Sequence, residues 1–215
     1  ALTNYITALG YPDTENELYK KFWPATHFMG KGIVRFHAVY WPAMLMAAEL
    51  EPPKQVFAHG FLTVGGEKMS KSKANQIIPA DLIPTFGVDG YRYHFVADQR
   101  FGGDGDFSFE QMVARYNSDL ANNFGNLTAR VLNMAIKYCD GVSTYKRANG
   151  PLKDAIAETF TKCEKLMEEF NFSEFHKVIW ELIGACNSYI EKTEPFKMAK
   201  EDLPGAQAVL GDCLE

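Results

Sequence analysis

The part of the chain before Phe61 alternates short and long apolar stretches. Short apolar runs at 26–29 and 55–60 enclose a longer run at 33–50. The short runs have the length of buried strands and the long run that of a helix, so this order predicts a parallel strand–helix–strand unit. Pro42 lies inside the long run, and we expect a kink near it because proline removes a helical hydrogen bond. A short helix over 1–10, closed by a turn at 10–13, precedes the unit.

The pattern from Asp89 onward is helical. Ser108, followed three residues later by Gln111, fits a capping box and predicts that a helix begins there. Apolar residues then recur at steps of three or four, which predicts one buried stripe formed by Tyr116, Leu120, Phe124, Leu127, Val131, Met134 and Tyr138. Two further helical runs, at 152–170 and 175–192, complete a predicted helical bundle.

Composition narrows the class of protein. The 215 residues are 47% hydrophobic and 23% charged, as in globular proteins. No apolar run approaches the roughly 18 residues of a membrane-spanning helix, so we expect no membrane association. The four cysteines include no C-x-x-C pair, which favours a reduced, cytoplasmic protein. The chain begins without Met and without a leader pattern, so we expect it to be part of a longer protein.

Charge is distributed unevenly along the chain. The net charge is −5, which argues against non-specific binding of nucleic acid. Residues 1–150 carry 15 basic and 14 acidic groups, whereas residues 151–215 carry 7 basic and 13 acidic groups. We therefore expect a polyanion to meet the first 150 residues.

A loop at 65–73 concentrates lysines, hydroxyls and glycines without apolar periodicity. Lysines supply point charges, and serine hydroxyls and backbone N–H groups supply short donors, so the loop can hold a polyphosphate. Fixed cations of this kind stabilise the negative charge that develops during phosphoryl transfer. Composition alone favours a solvated surface loop.

The order of residues in this loop identifies a family. Residues 68–72 read KMSKS, the complete signature of class I aminoacyl-tRNA synthetases. The segments at 27–37, 40–45, 56–64 and 86–93 resemble the methionyl-tRNA synthetases most closely, and the resemblance runs from residue 1 to about residue 200. It implies that the chain takes part in joining methionine to ATP as methionyl-adenylate and in passing the methionyl group to its tRNA.

The resemblance also implies a fold class and a domain organisation, α/β followed by all-α. Residues 1–60 would form the second half of a Rossmann-like nucleotide-binding fold, 61–107 a connector that carries KMSKS, and 108–215 an incomplete anticodon-binding helical bundle. The implied partners are methionine, ATP with Mg²⁺, methionine tRNA and an N-terminal half that carries the family's other signature, HIGH. We expect no metal site within this chain.

The nucleotide-binding residues follow from the same resemblance. Lys71 would be the main catalytic cation on the polyphosphate, with Lys68 supporting it. The residues implied for ATP binding are Lys71, Ser70, Met69, Leu62, His59 and Gly30.

A methionine side chain needs an apolar slot with aromatic walls, because its polarizable sulfur gains from contact with ring edges. Ile33, Phe36, His37 and Tyr40 take neighbouring positions of one predicted helix and can line such a slot. Without the resemblance, the pattern favours an ordinary core with His37 as a hydrogen-bonded core histidine. The resemblance implies the set Ala1, Leu2, Tyr5, Ile33, Phe36 and His37.

A polar row on the long predicted helix is a candidate tRNA contact. Asn122, Asn126 and Arg130 are spaced i, i+4, i+8 and would share an exposed strip about 80° wide. Amides and a guanidinium can bond to base edges, although such rows are usually solvated helix faces. By resemblance, this row reads the anticodon, and Phe196 occupies the position of the family's base-stacking tryptophan. Phenylalanine keeps the stacking face and loses the indole donor.

Two departures from the family affect the expected activity. Gly32 stands where the family usually has an acid close to the ribose, and the HIGH signature is absent from the chain. We therefore expect little adenylate formation by these 215 residues alone. The alternatives are a leucyl, isoleucyl, valyl or cysteinyl synthetase, a non-catalytic tRNA-binding fragment, and a chance KMSKS in an unrelated α/β plus helical protein.

Overall fold

A computed structural model describes residues 1–69, 76–98, 102–142 and 150–214. These residues form two compact units. The first contains residues 1–69 with 102–106, and the second contains residues 76–98 with 107–214.

The first unit contains the strand–helix–strand arrangement that the apolar pattern predicts. Helices α1 (Asn4–Thr7) and α2 (Glu17–Phe22) precede strand β1 (Thr26–Gly30), which pairs in parallel with β2 (Gln55–His59). The connection between the strands consists of a 3₁₀ turn (Lys31–Ile33), a π-helical segment (Phe36–Tyr40) and α3 (Trp41–Ala47).

Pro42 lies at the beginning of α3, directly after the π-helical segment. Proline has no N–H to donate and is best tolerated in the first turn of an α-helix. A change from π-helical to α-helical bonding at this point places the proline where its missing donor is least disruptive.

The core of the first unit is largely aromatic. Trp23 and Trp41 meet edge to face with their rings 6.2 Å apart, and the Trp23 indole donates to the Glu51 carbonyl at 2.9 Å. The buried members of this cluster are Ile6, Tyr19, Trp23, Trp41 and Leu45.

A small sheet carries the first residues of the KMSKS signature. Strand β3 (Leu62–Val64) lies between β4 (Glu67–Lys68) and β5 (Gly105–Phe107). The β3–β4 turn is formed by Gly65 and Gly66 with φ of +62° and +76°. Two successive positive φ angles are what a tight hairpin turn requires, and glycine adopts them without steric strain.

The second unit is helical, as the sequence predicts. Its core cluster contains Val131, Met134, Ile190 and Leu210, and α4 changes direction at Gly87, whose φ is +71°. In chain order the elements are α4 (Pro79–Asp98), α5 (Phe109–Arg115), a π-helical segment (Tyr116–Gly125), α6 (Asn126–Cys139), α7 (Lys153–Glu168), α8 (Phe172–Thr193), α9 (Pro195–Met198) and α10 (Leu203–Leu214).

The predicted beginning of α5 is confirmed. The Ser108 hydroxyl accepts from the Gln111 backbone N–H at 3.2 Å, which satisfies one of the free donors of the first turn. That hydroxyl donates to the Glu110 carboxylate at 2.9 Å. The cap therefore combines Ser108 with its acidic neighbour.

The predicted apolar stripe is correct for α6 and wrong for Phe124. Val131 and Met134 are buried, whereas Phe124 is 49% exposed. Phe124 lies in the π-helical segment, whose i→i+5 bonding gives a smaller rotation per residue than an α-helix. A stripe drawn with α-helical spacing therefore leaves its predicted face in this segment.

Candidate functional site

A buried histidine is the centre of the predicted methionine site in the first unit. His37 is 5% exposed, and its Nδ1 donates to the Ile33 carbonyl at 3.0 Å. Since Nδ1 carries this proton, Nε2 of the neutral ring accepts from the Tyr5 hydroxyl at 2.9 Å. These two bonds fix both the tautomer and the orientation of the ring.

A second buried histidine supports the first. His27 is 4% exposed, and its Nε2 accepts from the Trp41 indole at 3.1 Å. The Tyr5 ring lies 4.3 Å from the His27 ring and 5.6 Å from the His37 ring. Burial, and then the neighbouring imidazole of His37, lower the pKa of His27. Both walls around Tyr5 are therefore imidazoles held in place by hydrogen bonds.

His27 was not among the residues that the sequence predicted. The signal for it was its position in β1, where His27 and Met29 are buried while Phe28 between them is exposed. Alternation of this kind places every second side chain on the buried face of the unit.

The remaining members of the predicted methionine set have different surroundings. Ile33 is 47% exposed and Phe36 is 49% exposed, and the Phe36 ring meets the edge of Tyr40 at 5.6 Å. Leu2 packs against the aromatic core, and Ala1 is exposed. The structure thus brings Tyr5, His37 and the Ile33 carbonyl together.

Two of the predicted nucleotide-binding residues meet at the carboxyl ends of the parallel strands. Gly30, the last residue of β1, is opposite His59, the last residue of β2. A Cβ at position 30 would lie 3.6 Å from Cε1 of His59, whose Nδ1 donates to the Gly60 carbonyl at 2.8 Å. In open α/β sheets, ligands bind outside the carboxyl ends of the strands.

Lys68 contacts an aromatic ring beside the sheet that carries it. Its Nζ lies 4.0 Å from the centre of the Phe61 ring, and Nζ of Lys31 lies 4.9 Å from the same centre. Lys31 also pairs with Asp104 at 2.6 Å, and this hydrogen bond is the main cause of the lowered pKa of Asp104. A Cβ at Gly32 would meet the Phe61 ring at 3.3 Å, so an acid at this position would require the ring to shift.

Of the other residues predicted to bind the nucleotide, two lie within the described part of the chain and two lie outside it. Leu62 and Met69 are half-buried. Ser70 and Lys71 lie outside the described residues, so the structure gives no geometry for the predicted main cation. In the part of the chain that the structure describes, no group of three or more His, Cys, Asp or Glu could hold a metal ion, and no helix has the length and apolar character to cross a membrane.

The predicted anticodon row lies in the second unit and spans two types of helix. Asn122 belongs to the π-helical segment, whereas Asn126 and Arg130 belong to α6. Both asparagines are exposed, but Arg130 is half-buried and donates to Oδ1 of Asn187 at 2.9 Å. The expectation of one shared exposed strip is therefore wrong for Arg130. Phe196, on α9, is 44% exposed, as a base-stacking ring would need to be.

Comparison with known proteins assigns the family. The family described as tRNA synthetases class I (M) matches residues 1–132. The chain belongs to this family. The resemblance seen in the KMSKS signature and its flanking segments is thereby confirmed, and the interpretation of KMSKS as a chance match is wrong.

Two relatives within this synthetase family show how much of a complete protein the chain spans. It is 50% identical over 208 residues to the methionine–tRNA ligase of Bacillus subtilis and 47% identical over 207 residues to that of Clostridium tetani. Both alignments cover 94% of this chain but only 31% and 32% of the relatives. The chain thus spans about a third of the length of these curated relatives.

Solved synthetase structures agree with the sequence relatives. Mycobacterium tuberculosis methionyl-tRNA synthetase in complex with methionyl-adenylate matches 99% of this chain with a TM-score of 0.87 and 40% identity, over 43% of that chain. The free form of the same enzyme matches with a TM-score of 0.83 and 36% identity, again over 99% of this chain. These matches favour the methionine member of the class over its leucyl, isoleucyl, valyl and cysteinyl alternatives.

Proposed function

We propose that this chain is a functional part of a methionine–tRNA ligase, which joins methionine to ATP as methionyl-adenylate and transfers the methionyl group to methionine tRNA. The observation that carries the proposal is the buried His37, fixed by Tyr5 and the Ile33 carbonyl beside exposed apolar side chains. The proposed domains are the nucleotide-binding fold at residues 1–60, the KMSKS connector at 61–107 and the anticodon-binding bundle at 108–215.

The site around Tyr5 suits an uncharged, polarizable side chain. A lowered pKa keeps His27 neutral at pH 7, so it places no charge beside the slot. Ring edges of Tyr5 and His37 offer sulfur–aromatic contacts, and Ile33 with Phe36 offers apolar area. A set of walls without a carboxylate or ammonium group favours methionine over charged amino acids.

ATP would bind across the ends of the two parallel strands. Gly30 lets the backbone approach the ribose beside His59, and Leu62 with Met69 contacts the adenine side largely through backbone groups. Lys71, supported by Lys68 and Ser70, would pair with the phosphates, and Mg²⁺ would arrive with ATP. To reach a phosphate, Lys68 would leave the Phe61 ring and lose about 0.5–1 kcal/mol of cation–π interaction, which pairing with the phosphate can offset.

The tRNA contact is proposed for the second unit. Asn122 and Asn126 present exposed amides that can bond to base edges, and Phe196 presents a ring face on which a base can stack. Arg130 would add a positive charge to this surface. Because its substrate would be tRNA and its four cysteines are free thiols, we place the protein in the cytoplasm.

Adenylate formation would need a segment that the relatives have and this chain does not span. Large apolar side chains are exposed on the helical connection between β1 and β2: Phe36, Val39, Tyr40 and Met44 are each 47–56% exposed. A partner half that carries the HIGH signature would cover such a surface and complete the nucleotide site. We therefore propose that the chain alone has little or no exchange activity.

Amino-acid-dependent ATP–pyrophosphate exchange tests this function. The chain would replace the matching segment of the Bacillus subtilis ligase, to which it is 50% identical, and the chimera would be assayed with methionine, leucine, isoleucine, valine and cysteine. We expect exchange with methionine only, and background exchange from the chain alone. Exchange with another amino acid would identify a different class I synthetase. A folded chimera without exchange, whose 215-residue part still binds tRNA, would identify a non-catalytic tRNA-binding fragment.

A further inference from the structure

One amide side chain in the second unit connects three helical segments. Oδ1 of Asn187, on α8, accepts from Nη2 of Arg130, on α6, at 2.9 Å. The Asn187 amide nitrogen donates to Oδ1 of Asn123, in the π-helical segment, at 3.1 Å and to the Ile183 carbonyl at 3.3 Å. The acceptor and donor ends of this amide are therefore both used.

The Arg130 guanidinium, which bonds to Asn187, has a further N–H donor without a partner among the described residues. Nε of Arg130 is buried without a hydrogen-bond partner among the described residues, and the described ion pairs include none with Arg130. Arg115 of the same unit differs, because its guanidinium lies 2.7 Å from Asp98 and 3.5 Å from Asp119. The hydrogen bond to a neutral amide thus orients Arg130, and no ion pair within the described ranges neutralises its charge.

Orientation without neutralisation is what a charge needs if it is to pair with RNA. A flexible arginine loses side-chain entropy when it binds, and a partner that fixes the guanidinium beforehand reduces that loss. A carboxylate in place of Asn187 would hold the guanidinium more strongly, yet it would cancel the charge that attracts a phosphate or base. The bond to Asn123 also ties Asn187 to the segment that carries Asn122.

We propose that Asn187 is a positioning residue for tRNA recognition: it fixes the Arg130 guanidinium and, through Asn123, the adjoining π-helical segment, without neutralising Arg130. This inference rests on the proposed function of Arg130 in reading the anticodon. It assigns to Asn187 a role that acts through other residues rather than by contact with RNA.

Binding of labelled tRNA to the full 215-residue chain tests the proposal. We expect Asn187→Ala to raise the Kd for methionine tRNA about 5–30-fold and to narrow its preference over an anticodon-altered tRNA. Asn187→Asp keeps the shape and the acceptor, but it loses the donor to Asn123 and to the Ile183 carbonyl, and its carboxylate would neutralise Arg130. It should therefore raise Kd at least as much. Asn133→Ala, on the exposed face of α6, is the matched control. It should change neither the Kd for methionine tRNA nor the preference over the anticodon-altered tRNA.

A double variant separates positioning from independent effects. Combining Asn187→Ala with Arg130→Ala should weaken binding no more than Arg130→Ala does alone, since the same contact is already lost. Full additivity, an unchanged Kd for Asn187→Ala, or wild-type binding by a stable Asn187→Asp would each overturn the positioning role. If Arg130→Ala itself leaves Kd unchanged, the proposed function of Arg130 fails and the role of Asn187 fails with it.

Discussion

Removing one oxygen atom tests the proposed methionine site most selectively. Tyr5→Phe deletes the hydroxyl that bonds to Nε2 of His37 at 2.9 Å. The substituted ring can keep its contacts with the rings of His27 at 4.3 Å and Trp41 at 6.3 Å. The perturbation therefore separates the orientation of His37 from the packing of the aromatic cluster.

The expected magnitude follows from the burial of His37. This side chain is 5% exposed, so water cannot readily replace the lost hydroxyl. A buried acceptor left without its donor costs about 1–3 kcal/mol. If about 1–2 kcal/mol of that appears as lost orientation of the ring, the KM for methionine should rise about 5–30-fold.

Methionine-dependent pyrophosphate exchange by the Bacillus subtilis chimera provides the assay. The KM for ATP should stay within about two-fold, because Gly30 and His59 are not altered. Tyr11→Phe is the matched control: Tyr11 packs against the same core, and its hydroxyl has no hydrogen bond within the described part of the chain. An unchanged KM for methionine, or equal increases for methionine and ATP, would refute the role assigned to Tyr5 and His37.

Three further predictions concern stability and reactivity. Tyr93→Phe should lower the free energy of unfolding in urea by about 1–3 kcal/mol. The Tyr93 hydroxyl accepts from the Trp180 indole at 2.7 Å and donates to the Asp119 carboxylate at 2.7 Å, and the variant loses both bonds. An unchanged urea midpoint would contradict this prediction. Burial lowers the pKa of His27 and His94 below 6.5. Their contribution to stability is therefore complete above pH 6.5 and is lost as the pH falls. The unfolding midpoint should drop between pH 7 and pH 5.5, and it should drop less when both histidines are replaced by Gln. Burial raises the pKa of Cys213 to about 12. Mass spectrometry should therefore show that Cys213 is alkylated much more slowly at pH 8 in native protein than in urea-unfolded protein. Equal rates of alkylation would contradict this prediction.

Much of the fold could be predicted because apolar spacing reflects burial directly. The runs at 26–29 and 55–60 became paired parallel strands, and Ser108 capped α5 as expected. The two π-helical segments could not be predicted, since apolar periodicity does not reveal which carbonyl each N–H will bond to. That difference in bonding placed Phe124 outside its predicted stripe.

The candidate site was predictable only where the family signature reaches it. Tyr5 and His37 followed from resemblance, and the structure shows the hydrogen bond that joins them. His27 was missed because its partners, Tyr5 and Trp41, come from different elements and meet only on folding. Asn187 lies 57 residues from Arg130, and no local spacing rule connects residues so far apart.

Charging of methionine tRNA by the chimera is the most direct test of the central claim, that this chain supplies both the methionine slot and the anticodon surface of a ligase. Its kcat/KM for tRNA should lie within about ten-fold of that of the parental Bacillus subtilis enzyme, because the chain is 50% identical to the segment that it replaces. Charging should also fall when the anticodon is altered. A folded chimera that charges no tRNA with methionine, or that charges the altered tRNA equally well, would contradict the account.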